Sequence, residues 1–257
     1  MQRRTLILST IGAALAGQSK PMLKLRKRDE AKAIEFTESL DPRHSAIILC
    51  DMWDKHWCEG ANGRVALLVQ RTGPLLEKAR ASGMLIVHAP SDTMDFYRDA
   101  PQRKAMQALP KVDPPKPLDL SSPALPIDDT DGGCDTPGDK QHKAWSRQHA
   151  GIVIAPNDLI SDQGAEVYNA LRARGIQRLF VMGVHTNMCI LNRTFAIKQM
   201  SKWGVHCVLL RDMTDAMYDP RDRPFVSHVR GTELVIEYIE RYWCPSTTST
   251  DLMIALG

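Results

Sequence analysis

Two residues at the ends of apolar runs are placed to do nucleophilic chemistry. Cys189 closes the segment Gly183-Val184-His185-Thr186-Asn187-Met188-Cys189, between the apolar run Leu179–Met182 and a stretch of helical periodicity. Such a turn delivers a thiol to the start of a helix. Free N–H groups and the positive end of the dipole there lower a thiol pKa and supply donors for an oxyanion. Asp51 ends another apolar run, Ala46-Ile47-Ile48-Leu49-Cys50. A carboxylate at a neighbouring strand end can take the thiol proton and later return it to a leaving group. Cys50 and Cys207 lie inside apolar runs and read as packing. His185 and Cys189 could both ligate zinc, but no second close pair lies where a tetrahedral site needs one.

The elements that must position these groups alternate in type. Strand-like runs are 46–50, 84–87, 152–154, 179–182 and 205–210, and helical spacing covers 64–82, 162–174, 188–203 and 231–242. Alternation of this kind predicts βαβ units, hence a three-layer α/β/α fold with a mainly parallel central sheet. Ligands in such sheets bind beyond the carboxyl ends of the strands, where Asp51 and Cys189 lie. The span 93–145 breaks the rhythm, being rich in proline and aspartate, and reads as an insertion that flanks the site. Its Asp128, Asp129, Asp131, Asp135 and Asp139 do not follow a calcium-loop pattern and read as a solvated acidic loop.

The strand ending in Asp51 and the turn Gly183–Cys189 together resemble the isochorismatase-like cysteine hydrolases, the superfamily of nicotinamidases, carbamoylsarcosine amidase and ureidoacrylate amidohydrolase. The resemblance covers about residues 44 to 220 and implies that Asp51 and Cys189 are catalytic. It implies a cis bond at Val184–His185 and an oxyanion hole made by the N–H groups of His185 and Cys189. It also implies a lysine that supports the pair. Lys143 is the candidate, with Arg147 in reserve. Nicotinamidases bind a metal through an Asp/His cluster after the second strand. Here that segment reads His88-Ala89-Pro90-Ser91-Asp92, so neither metal nor cofactor is expected. Trp53, Trp57, His88, Trp145 and Asn187 are candidates for substrate binding.

Composition narrows the class. Of 257 residues 43% are hydrophobic and 25% charged, ordinary globular usage. A formal net charge of +3 is too weak a bias for a nucleic-acid surface, and no apolar run has the length of a membrane span. Arg3 and Arg4, the uncharged stretch after them and Ala14-Leu15-Ala16 have the order of a twin-arginine-like signal peptide. The expected organisation is a signal peptide over 1–16, a basic, poorly ordered lead-in over 17–42, and one hydrolase domain over 43–257. The expected location is periplasmic, with a cytoplasmic protein as the alternative. The expected function is cysteine-dependent hydrolysis of a C–N bond in a small amide, urea-type or carbamoyl substrate, through a thioester. The partner is a small molecule, and a homo-oligomer is compatible with the sequence. The rivals are a non-catalytic relative with an incomplete triad and an isochorismatase-type hydrolase.

Overall fold

The computed structural model describes residues 21–257. The proposed signal peptide lies outside the described residues. An eight-stranded sheet has the order β2-β1-β8-β7-β6-β3-β4-β5. Its strands are β1 (Met22–Asp29), β2 (Lys32–Ser39), β3 (Ser45–Cys50), β4 (Leu85–Ala89), β5 (Leu159–Ile160), β6 (Arg178–Val184), β7 (His206–Asp215) and β8 (Ser246–Thr247). From β8 to β5 all neighbours pair in parallel, while β1 runs antiparallel to both β8 and β2.

Alternation along the strands builds two cores. In β3, Ala46, Ile48 and Cys50 face one side, with α3 (Gly164–Ala173), α5 (Ile197–Lys202) and α6 (His228–Tyr242). Ile47 and Leu49 face the other, with α1 (Glu59–Ala81) and α7 (Ser249–Ala255). All of β3 is buried, as befits a central parallel strand with helices on both faces.

Three expectations are corrected. Residues 22–39 are not a poorly ordered lead-in but the hairpin β1–β2. Leu23 and Leu25 alternate with charged residues and bury one face, while Arg26 and Arg28 pair with Glu240 at 2.8 and 3.2 Å. The strand expected at 152–154 is loop, and the sheet instead takes Leu159–Ile160, an apolar pair too short for periodicity to reveal. The single helix expected over 188–203 is broken into α4 (Cys189–Asn192) and α5, because Arg193 leaves the helical region at φ −62°, ψ 148°.

Much of the insertion lacks regular structure beyond α2 (Pro101–Gln107), yet it is pinned. A disulfide joins Cys134 to Cys58 at the start of α1. Asp135 meets Arg64 at 2.6 Å, and Asp139 accepts a hydrogen bond from the Glu59 N–H at 2.8 Å. The acidic loop is thus a fastened wall rather than a solvated run.

Candidate active site

The chain builds β3, β4 and β5 in one direction and then returns to lay β6 and β7 on the other side of β3. The sheet order reverses between β3 and β6, and an open α/β sheet forms its crevice at such a point. Asp51 follows β3 and the Cys189 turn follows β6. The two elements touch closely. Gly183 sits at φ 112°, and a Cβ there would overlap the Cys50 carbonyl oxygen. Only glycine allows that approach.

Asp51 is fully buried and adopts φ 50°, a left-handed conformation that aspartate tolerates better than most residues. Its Oδ1 accepts the Ser91 N–H at 2.8 Å and its Oδ2 accepts the Arg193 Nε–H at 2.9 Å. The Cys189 thiol lies close enough to the same carboxylate for each to shift the other's ionisation. Arg193 also faces Asp92, at 3.6 Å from Nη2. Asp51, Cys189 and Arg193 therefore form one charged cluster.

Burial sets the protonation balance. It pushes the Asp51 carboxyl up, while Arg193, the thiol and the Ser91 N–H pull it down without fully offsetting burial. It also pushes the Cys189 thiol well up, and the neighbouring Asp51 charge adds to this, against a lowering by Arg193 and the His185 N–H. The shift at Cys189 is thus opposite to the one expected of a thiol at a helix start. Its helix is four residues long, and desolvation beside a carboxylate outweighs the free N–H groups. The arrangement holds a neutral thiol against a carboxylate that burial makes ready to accept a proton.

The Val184–His185 peptide is cis. The N–H of His185 lies on the side of the Cys189 thiol where it lowers the thiol pKa. Neither that N–H nor the Cys189 N–H donates to a backbone carbonyl among the described residues. Both are available to a ligand oxygen beside the sulfur.

Lys143 is not brought to this cluster. Its Nζ donates to the Asp92 carbonyl at 2.7 Å on the surface. The Arg147 guanidinium lies over the Phe96 ring, 5.5 Å from its centroid, and its backbone N–H donates to Asp54. The cation beside Asp51 is Arg193, which the sequence reading missed. One signal was present: Arg193 follows Cys189 by four residues, the spacing that places two side chains on one side of a helical turn.

The candidate binding residues divide. Trp53 and Trp145 stack with centroids 4.0 Å apart, and His56 lies over Trp145 at 6.0 Å and against His185 at 4.9 Å. Trp57 contacts His56 at 5.3 Å and packs with Cys58 and Met217. His88 is fully buried between Gln148 at 2.8 Å and Asp158 at 2.9 Å, so it serves the scaffold. Asn187 is spent on bracing: it donates to Asp129 and the Met217 carbonyl and accepts the Met217 N–H. One group of metal-ligand type gathers among the described residues, Cys58, Cys134 and Asp135, but its two sulfurs are bonded to each other.

No family model matches the chain, and no curated protein matches it. Solved structures do. A cysteine hydrolase from Pseudomonas syringae pv. phaseolicola 1448A is 18% identical over 84% of this chain and 94% of its own, with a TM-score of 0.54. A candidate isochorismatase from Burkholderia xenovorans LB400 is 14% identical over 84% and 88%, with a TM-score of 0.50. The fold is isochorismatase-like. Within that fold, Arg193 reaches the aspartate from just beyond the short helix that begins at the cysteine.

Proposed function

We propose that the protein is a cysteine-dependent hydrolase that cleaves a C–N bond of a small amide, urea-type or carbamoyl substrate. The observation that carries this reading is the buried cluster of Asp51, Cys189 and Arg193 beside the His185 and Cys189 N–H groups, neither of which donates to a backbone carbonyl among the described residues. As the Cys189 sulfur bonds to the carbonyl carbon, its proton passes to Asp51. The oxyanion is received by the His185 and Cys189 N–H groups. Asp51 gives the proton to the departing nitrogen as the C–N bond breaks, leaving a thioester and a free amine or ammonia. Asp51 then takes a proton from water as it attacks the thioester. The acid departs and the thiol regains its proton. Arg193 holds Asp51 in place and keeps one negative charge in the cluster favourable at each stage. Arginine cannot deprotonate, so its part is electrostatic and positional.

The test is ammonia release from a panel of amides, ureas and carbamates by the wild-type chain and by Cys189→Ala. Turnover that vanishes in the variant supports the reading. Equal turnover in both refutes it.

The order of residues 3–16 and the Cys58–Cys134 disulfide both favour an exported protein, since disulfides persist in oxidising compartments. We infer a mature chain that begins near Gly17. N-terminal sequencing of the native protein checks this: a chain retaining Met1 or Gln2 in the cytosol contradicts it.

A further inference from the structure

Two buried polar atoms beside the cysteine turn lack partners. His185 is 2% exposed, and its Nε2 has no hydrogen bond. Trp145 Nε1 is buried and equally unpartnered. Buried polar groups are nearly always paired, because leaving one unpaired forfeits its hydration without return. Two such atoms around one aromatic box indicate that something else completes it. The box is contiguous with the nucleophile. His185 shares the turn with Cys189, and its ring meets His56, which in turn lies over Trp145.

The donor pattern of the box can be read further. His56 Nδ1 accepts the Cys58 N–H at 3.2 Å, so a neutral His56 carries its proton on Nε2. Burial lowers His56 to about 4, and Arg64 adds to this. Burial likewise lowers His185, with His56, Arg64 and His228 acting in the same direction. Both rings are neutral at pH 7. Three of the cations nearest these rings are engaged. Arg64 is held by Asp135 at 2.6 Å and Asp215 at 2.8 Å, and Arg193 by Asp51. His228 is paired with Asp215 at 2.9 Å. A carboxylate entering the box would lose its hydration, with Arg64, Arg193 and His228 each already committed to another carboxylate. An uncharged carbonyl or ring nitrogen would meet the Trp145 Nε1–H, and the His185 Nε2–H in the tautomer that carries its proton there.

We propose that His185, with His56 and Trp145, is a specificity-determining group that selects an uncharged substrate by hydrogen-bonding a neutral acceptor on its non-reacting end. This rests on the hydrolase reading for the word substrate, but the selection itself is a binding property. It is tested by titrating full-length Cys189→Ala with matched neutral and anionic amides, following tryptophan fluorescence. The pairs are succinamide with succinamate, and terephthalamide with 4-carbamoylbenzoate. The expected result is at least tenfold tighter binding of the neutral member in one or both pairs. Adding His185→Phe should weaken that binding at least fivefold, and His185→Gln, which restores a hydrogen-bonding atom, should recover most of it. If His185→Phe does not fold, Trp145→Phe must weaken the same binding. Equal or tighter binding of the anions, no binding of either neutral amide, or wild-type affinity in both His185→Phe and Trp145→Phe would overturn the proposal. Neutral binding without ammonia release from the Cys189 protein leaves the selection standing and removes the hydrolase reading. Cys189-dependent turnover that prefers the anionic member does the reverse.

Discussion

At the scale of single residues, the site works by sharing one negative charge among three side chains. Asp51 and Arg193 each affect the thiol, in opposite senses. Asp51→Asn removes the proton acceptor and also a negative charge next to the sulfur. Amide turnover should then be lost, while alkylation of Cys189 by iodoacetamide becomes faster than in the wild type. A variant slow in both would show that Asp51 positions the thiol rather than exchanging protons with it. The Asp51 carboxyl sits above its ordinary range because burial outweighs Arg193. The acid limb of kcat/KM should therefore lie higher than an ordinary aspartate would give, and Arg193→Lys should move it little. Arg193 stands four residues after Cys189, but its role also depends on a break after four helical residues, which periodicity over 188–203 conceals. Asp51 and Cys189 could be placed at the crevice because one ends an apolar run and the other closes the turn that follows one, at the strand ends of a three-layer fold.

At the scale of elements, the crevice depends on how closely β3 and β6 approach. Gly183→Ala forces a side chain into a left-handed backbone and into the Cys50 carbonyl. It should cost at least about 3 kcal/mol of unfolding free energy, measured by urea titration. A loss under about 1 kcal/mol would mean that the strands can separate and that the site is not held by this contact. The strands at 46–50, 84–87, 179–182 and 205–210 were read correctly, since central parallel strands are short continuous apolar runs. The β1–β2 hairpin was missed because its many charges mask an alternation that buries only Leu23 and Leu25 deeply. β8 was missed because two polar residues, Ser246 and Thr247, carry no pattern at all.

For the whole molecule, the disulfide and the buried histidines set the conditions of stability. The Cys58–Cys134 bridge spans a sequence separation of 76 and ties the insertion to α1. Its loss in Cys58→Ser with Cys134→Ser should cost about 2–4 kcal/mol. Through Asp129 and its bond to Asn187, the loosened insertion should also slow turnover. Unchanged stability and rate would show the bridge to be idle. His56, His185 and His206 are lowered in the folded chain, chiefly by burial, so the unfolded chain binds their protons first. Stability should be full above pH of about 6.5 and fall as the pH drops below it. His228 opposes this in part: burial lowers it, but its bond to Asp215 and the Asp215 charge outweigh burial and leave it raised. Below about pH 4, Asp158 adds a further loss: burial raises it, but His88 and Arg80 outweigh burial and hold it ionised. Thermal melts across pH 4 to 8 check the sign, and a melting temperature that rises on acidification would contradict it.

The most direct measurement needs no substrate. Second-order alkylation of Cys189 by iodoacetamide, mapped by peptide mass spectrometry, reads the charge cluster itself. The three other free thiols, Cys50, Cys207 and Cys244, are buried, so the label should map to Cys189. Removing Arg193 leaves the cluster's negative charge without its cation. Arg193→Ala should therefore slow alkylation at least about tenfold near neutral pH, one unit of thiol pKa being a factor of ten. Lys143→Ala should leave the rate at the wild-type value. A slow Lys143→Ala beside a normal Arg193→Ala would contradict the account and return the supporting role to the lysine.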